Sequence, residues 1–243
     1  MKTAKARVDQ LLVDRGLVES REKAQALILA GEVMVNGQKA DKPGRTVAAD
    51  ARVEVMGRLP YVSRGGIKLA AALDAFGIDV QGMVAIDIGA STGGFTDCLL
   101  QRGAVRVHAV DTGAGQINWK LRTDERVVLH ENVNARYLEF AEIGELADII
   151  VCDVSFISVT LLLPRFPALL KDNGQFVVLI KPQFEAGREH VGKGGIVRDA
   201  AIHEACCAKV REAAESLFFR TRIIPSPILG TEGNQEFLLH ACH

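Results

Sequence analysis

Residues 83–96, Met-Val-Ala-Ile-Asp-Ile-Gly-Ala-Ser-Thr-Gly-Gly-Phe-Thr, decide how the rest of the chain is read. Val84 to Ile88 is a short apolar run broken by Asp87. Gly89, Gly93 and Gly94 follow, and then a stretch able to form a helix. A strand, a glycine turn and a helix start in that order let backbone approach a ligand closely and aim free helix N–H groups at it. The Gly-x-Gly-x-x-Gly spacing of dinucleotide binders is absent, because Ser91 stands where the second glycine would be. An acid inside the strand suits a cationic ligand better than a pyrophosphate. The motif alone also fits a glycine turn in another kind of α/β protein.

Downstream, strand and helix patterns alternate. Arg106 to Val110 reads as a second strand followed by Asp111, an acid about twenty residues past the glycine turn, where a ribose is often bound. Val127 to Leu129 is a third strand running towards Glu131-Asn132, and residues 136–145 form a weak helix. Asp148 to Asp153 is apolar almost throughout, as a strand covered on both faces should be. Residues 160–170 are helical but interrupted by Pro164 and Pro167; Gln175 to Ile180 is a fifth strand ended by Lys181-Pro182. A glycine-rich loop over 183–198 carries Arg188 and Lys193. Asp199 caps a long amphipathic helix, and strands at 222–224 and 237–241 close the chain. This order predicts a mostly parallel, doubly wound sheet of seven strands, with ligands at the carboxyl ends of the strands.

Four residues stand out against that frame. Lys68 lies in the first turn of a helix starting near Gly65, where a cation is electrostatically disfavoured. Asp153 ends the fourth strand, Lys181 ends the fifth, and Glu236 begins the last. From spacing alone, a structural ion pair explains a lysine and an acid at neighbouring strand ends as well as catalysis does.

The first sixty residues are organised differently. Val8, Leu11 and Leu12 fall at helical spacing, Ser20 is an N-cap, and Ala24, Leu27 and Ile28 form a second buried face. Val33 and Val35 alternate as a strand before Asn36-Gly37, a strong hairpin signal, and 51–55 alternates again. This pattern resembles the S4 RNA-binding domain over about residues 1–58. Arg7, Arg21, Lys23, Lys39, Lys42 and Arg45 are then the candidate RNA contacts, neutralising phosphates without reading sequence. Residues 1–60 hold 11 Lys/Arg against 8 Asp/Glu, while the whole chain carries a net charge of −1. That basic bias is modest. Gly57 and Pro60 punctuate a boundary, giving domains of 1–58 and 65–243 joined by a linker over 59–64 that offers Arg64 as a further RNA contact.

Composition bounds the remaining readings. With 48% hydrophobic residues a sizeable core is available, yet no apolar run is long enough to span a membrane and no signal-like segment is present. Five cysteines without Cys-x-x-Cys pairs read as reduced cytoplasmic core residues, and neither they nor the six histidines show metal-ligand spacing.

Asp87-x-Gly89-x-x-x-Gly93-Gly94 resembles the first motif of S-adenosylmethionine (SAM)-dependent methyltransferases. Lys68, Asp153, Lys181 and Glu236 match the Lys-Asp-Lys-Glu tetrad of the FtsJ-like ribose 2′-O-methyltransferases. Together with the S4 pattern and Tyr61-Val62-Ser63-Arg64-Gly65-Gly66, the chain resembles the TlyA family of ribosomal-RNA 2′-O-methyltransferases, historically annotated hemolysin A. The resemblance implies a Rossmann-like SAM-dependent methyltransferase domain, with SAM held by Asp87, Gly89, Ala90, Ser91, Gly93, Gly94, Phe95, Asp111, Asn132 and Asp153. It implies Lys181 as the base, Lys68 as a neighbouring cation, Asp153 orienting Lys181 and Glu236 holding the lysines in line. Arg188 and Lys193 join the expected RNA contacts. The linker departs from the family's tryptophan-containing form, having Leu59-Pro60-Tyr61 instead. The chain matches the shorter family form, which implies a cytidine of 23S RNA in the 50S subunit as target; oligomeric state is left open. Three rivals stand beside this reading: a catalytically silent assembly factor, a pore-forming hemolysin, and a base methylase. For the last, Asp153-Val154-Ser155-Phe156 stands where an Asn-Pro-Pro-type clamp would be expected, and Phe156 reads as a core residue that can also stack a base.

Overall fold

The computed structural model describes residues 5–55, 60–217, 219–230 and 232–242, and the chain divides into two compact units, 1–60 and 61–243. Gly57, Arg58 and Leu59 of the expected boundary lie outside the described residues.

In the first unit β1 (Lys5–Arg7) runs straight into α1 (Val8–Asp14), followed by α2 (Arg21–Leu29), β2 (Val33–Val35), β3 (Gln38–Lys39), β4 (Thr46–Ala48) and β5 (Val53–Val55). Ser20 caps α2 by accepting from the Lys23 N–H at 3.2 Å. Asn36 and Gly37 both take left-handed φ values, 50° and 78°, and close the β2–β3 hairpin; the twist of such a turn matches that of its strands. Val8, Leu11 and Leu12 of α1 pack with Ala24 and Ile28 of α2 and with Val33, Val35 and Val53 of the sheet, so both helical stripes face one small core. The antiparallel pair β1–β4 was not visible in the sequence, because its three-residue strands show no alternation to read.

The second unit begins with α3 (Gly65–Phe76) and continues through β6 (Val84–Ile88), α4 (Gly94–Gln101), β7 (Arg106–Asp111), α5 (Trp119–Arg122), β8 (Val127–Glu131), α6 (Phe140–Ile143) and β9 (Ala147–Cys152). It ends with β10 (Leu170–Ile180), α7 (Pro182–Glu185), α8 (Ala200–Glu215), β11 (Arg220–Pro225) and β12 (Phe237–Cys242). Seven strands form one sheet in the order β11-β12-β10-β9-β6-β7-β8; β12 runs antiparallel to both neighbours, and the pairings among β6 to β10 are parallel. Successive side chains point to opposite faces. Ile150 and Cys152 of β9, with Phe176 and Val178 of β10, therefore join Cys207 and Val210 of α8 on one face. Ile149, Val151, Val177 and Leu179 meet Leu69 and Leu73 of α3 and Leu99 of α4 on the other. The order reverses between β6 and β9, which opens a crevice at their carboxyl ends.

Several boundaries differ from the sequence reading. Residues 61–64, expected in the linker, belong to the second unit: Tyr61 lies on Gly66, and the Val62 N–H donates to Asp97 Oδ2 at 2.8 Å. The expected helix over 160–170 is two 3₁₀ segments, Val159–Leu161 and Leu163–Ala168, since Pro164 and Pro167 lack the N–H groups that a continuous helix uses. The 136–145 helix is a 3₁₀ turn at Ala135–Tyr137 followed by the short α6. β10 starts five residues before Gln175, with an irregularity in its pairing to β9 between Leu170 and Gln175.

Candidate active site

The crevice is built by close approach of backbone. Gly89 follows β6 at φ 83°, and a Cβ there would collide with the carbonyl oxygen of Asp153, the residue after β9; glycine is required on both counts. Ser91 also takes a left-handed φ, 49°, which turns its N–H onto Asp111 Oδ2 at 2.8 Å; Asp111 Oδ1 accepts from the Gly113 N–H at 2.7 Å. The acid after β7 thus braces two loops at once. Gly89, Ser91, Asp111, Asn134, Asp153 and Phe156 are among the walls of a cavity of about 470 Å³.

Other expected cofactor residues sit elsewhere. Gly93 packs against Leu121 and Ile117, and Gly94 against Ser63 and Gly66, so both glycines serve close packing of the helix start. Ala90 and Phe95 are buried in the α3–α4 core. Asp87 is fully buried; its Oδ2 accepts from Thr96 Oγ1 at 2.6 Å, its Oδ1 has no hydrogen-bond partner among the described residues, and burial pushes its carboxyl up to about 7. Asn132 is an exposed left-handed turn at φ 59°, and Val133, Asn134 and Ala135 line the cavity in its place.

The four residues of the tetrad form two pairs. Lys68 donates to Glu236 Oε2 at 2.5 Å, with side chains only 9% and 3% exposed. Lys68 is thus a paired cation, with Glu236 as its partner. Lys181 Nζ lies 2.6 Å from Asp153 Oδ1, and its aligned hydrogen bond goes to Ser155 Oγ at 2.9 Å. Lys181 and Glu236 line a second cavity of about 330 Å³ together with Gln183, Phe184 and Glu232. Ser155 and Phe156 line both cavities, so the two adjoin.

Phe156 is not core. It is 92% exposed, holds φ 67°, and its ring lies 5.3 Å from that of Phe184. A bulky residue in the left-handed region is rare, and its surroundings must fix it there. Buried Glu185 helps to do so: it accepts from the Val159 N–H at 2.7 Å and from Ser158 Oγ at 2.5 Å, and Lys209 approaches it at 3.1 Å. The loop after β9 is thereby tied to α7 and α8. Ser155, Gln183 and Glu185 carried no motif that would have singled them out.

In the first unit, Arg7 and Arg21 converge on Asp9, which is fully buried and also accepts from Gln25. The Arg7 guanidinium holds the Asp9 carboxyl far below the ordinary carboxylate range. Asp9 thus fixes two half-exposed arginines side by side. Lys23 pairs with Glu19 at 2.7 Å, and Lys39, Lys42 and Arg45 are exposed. In the second unit Arg64 donates to the Leu229 carbonyl, and Arg188 and Lys193 are exposed.

This fold, with its cavity at the point where the strand order reverses, is of the methyltransferase class, and the comparisons agree. Residues 61–242 match the FtsJ-like methyltransferase family and residues 6–53 the S4 domain. The 16S/23S rRNA (cytidine-2'-O)-methyltransferase TlyA of Mycobacterium tuberculosis is 44% identical, over 97% of this chain and 89% of that protein. Hemolysin A of Brachyspira hyodysenteriae is also 44% identical, over 96% and 98%. A solved structure from Streptococcus thermophilus is 47% identical over 99% of this chain and 89% of its own, with a TM-score of 0.76. The chain belongs to the FtsJ-like methyltransferases, in the S4-containing branch that includes TlyA and hemolysin A.

Proposed function

We propose that the protein is a SAM-dependent ribose 2′-O-methyltransferase acting on ribosomal RNA, with a cytidine of the large subunit as its target. The observation that carries this reading is Lys181, set between Asp153 and Ser155 where the glycine-turn cavity adjoins a second one. The first cavity fits SAM. Gly89 leaves room that a Cβ would fill, and Asp111, Asn134 and Asp153 supply polar groups for a ribose, an adenine and an ammonium. When bound, SAM supplies a methyl group on a sulfonium.

The chain's task is then to ready a poor nucleophile. Lys181 Nζ would accept the proton of the ribose 2′-hydroxyl as the methyl group is transferred to that oxygen. Asp153 and Ser155 orient Lys181, and Lys68 holds Glu236 in the wall of the second cavity. Phe156 offers an aromatic face to an unstacked base. Arg7 and Arg21, with Lys23, Lys39, Lys42 and Arg45 on their unit and Arg64, Arg188 and Lys193 on the other, neutralise phosphates. The substrate implies a cytoplasmic enzyme. Among the described residues no helix is long and apolar enough to cross a membrane.

Radiolabelled SAM, pure protein and separated unmodified 50S and 30S subunits test the proposal. Label on a 2′-O-methylcytidine of 50S RNA is the expected result. Label on 30S RNA alone moves the target, and none on either overturns the reaction.

A further inference from the structure

Gln183 stands two residues after Lys181 on the four-residue helix α7, and its Oε1 is buried with no hydrogen-bond partner among the described residues. A buried carbonyl oxygen left unpaired carries an uncompensated desolvation penalty, so each such group in a folded protein asks for an explanation. Gln183 is not sealed in the core. It lines the second cavity together with Lys181, so a ligand in that cavity meets both residues. Glu232 and Glu236 line the same cavity, and Oε2 of Glu236 is already taken by Lys68. Beside the Lys181 ammonium, the wall around Gln183 therefore carries several acceptors. Cytosine presents an amino donor at the edge where uracil presents a carbonyl acceptor. An acceptor in that wall completes its hydrogen bond with the first and is left unpaired against the second, which is how a polar site rejects a near-isostere.

We propose that Gln183 reads the target base, its amide oxygen accepting the exocyclic amine of a cytidine whose 2′-hydroxyl faces Lys181. The assignment rests on the methyl-transfer reading above. The one short helix α7 then sets both the reacting hydroxyl and the identity of the nucleotide, because Lys181 caps that helix and Gln183 lies in its first turn. Gln183 does not line the glycine-turn cavity, so replacing it leaves the cofactor's walls intact.

The test uses the full-length protein on unmodified 50S subunits and on 50S subunits carrying uridine at the cytidine that the wild type modifies. Initial rates of methyl transfer give a cytidine-over-uridine ratio, and calorimetry gives SAM affinity. Gln183→Leu is expected to lower that ratio about tenfold or more, with SAM affinity unchanged. Gln183→Glu keeps an acceptor of the same length and is expected to hold the ratio at or above the wild-type value. A wild-type ratio in Gln183→Leu overturns the assignment while leaving methyl transfer standing. If Gln183→Leu loses SAM binding through misfolding, Gln183→Glu decides, and a ratio below the wild type overturns the assignment. No transfer to cytidine subunits by the wild type overturns the methyl-transfer reading and this assignment with it.

Discussion

Two lysine–carboxylate pairs stand close to the same crevice, and they are closed to different degrees. Lys68–Glu236 is nearly sealed, at 9% and 3% side-chain exposure, and its hydrogen bond is aligned; Lys181–Asp153 is more open, at 12% and 21%, and Lys181 gives its aligned hydrogen bond to Ser155 instead. A sealed pair binds each partner to the other, since removing one leaves a bare charge in a low dielectric. In the open pair a third group, Ser155, also takes the lysine. Lys181 is therefore held by two neighbours and not sealed against one. The same residue types thus do different work: one pair holds a wall, and the other faces two cavities where chemistry is proposed.

The largest expected effect breaks the open pair. Lys181→Ala should lower methyl transfer by about 10²–10⁴, the usual weight of a general base, while SAM affinity and urea stability stay near wild type. Undiminished transfer would remove Lys181 from the base role. Breaking the sealed pair should register as stability. Glu236→Ala leaves Lys68 buried and uncompensated, with an expected loss of roughly 3–5 kcal/mol in urea unfolding, and the double variant Lys68→Met/Glu236→Leu should regain most of it. If Asp153→Asn destabilises as much as Glu236→Ala, the two pairs do not differ in the way that their burial implies. A smaller effect belongs to the first unit, where the carboxylate is buried but its cations are open. Arg21→Ala should weaken 50S binding and reduce the slope of log affinity against log salt by about 1. An unchanged slope would mean that Arg21 serves Asp9 and not a phosphate.

The order of the strands and the glycine turn were legible because each follows from periodicity or from a motif of neighbouring residues, whereas Lys68, Asp153, Lys181 and Glu236 stood out singly, at a helix start and at strand ends, and only the family resemblance joined them. What was hidden depends on partners remote in sequence or on a reversed backbone. Gly93 and Gly94 read as ligand contacts until Leu121 and Ser63 are seen against them. Past Asn132 and at Phe156, left-handed φ values break the alternation on which side-chain direction is inferred, so Asn134 and the exposure of Phe156 were out of reach. Asp9 was an unremarked acid at a helix start, since nothing local says that Arg21 and Gln25 return to it.

Asp87 is the limiting case of the comparison, a carboxyl sealed as fully as Glu236 but with no cation against it among the described residues. Burial, reinforced by Asp153, outweighs the Thr96 hydrogen bond and pushes it from 3.8 to about 7. Below pH 4 the native and unfolded chains both hold the proton, and nothing is lost. Between pH 4 and 7 the native state keeps a proton that the unfolded chain has released, so stability falls as the pH rises, by on the order of 2–4 kcal/mol once both are ionised. Asp87→Asn retains an oxygen for Thr96 and removes the charge. Urea midpoints of the two proteins from pH 4.5 to 8.5 should therefore diverge, the wild type losing ground to the variant as the pH rises. Parallel curves would mean that Asp87 ionises in the fold at its ordinary pH. Its unpartnered Oδ1 would then have found a cation or donor, and the strand acid would belong with the paired carboxylates after all.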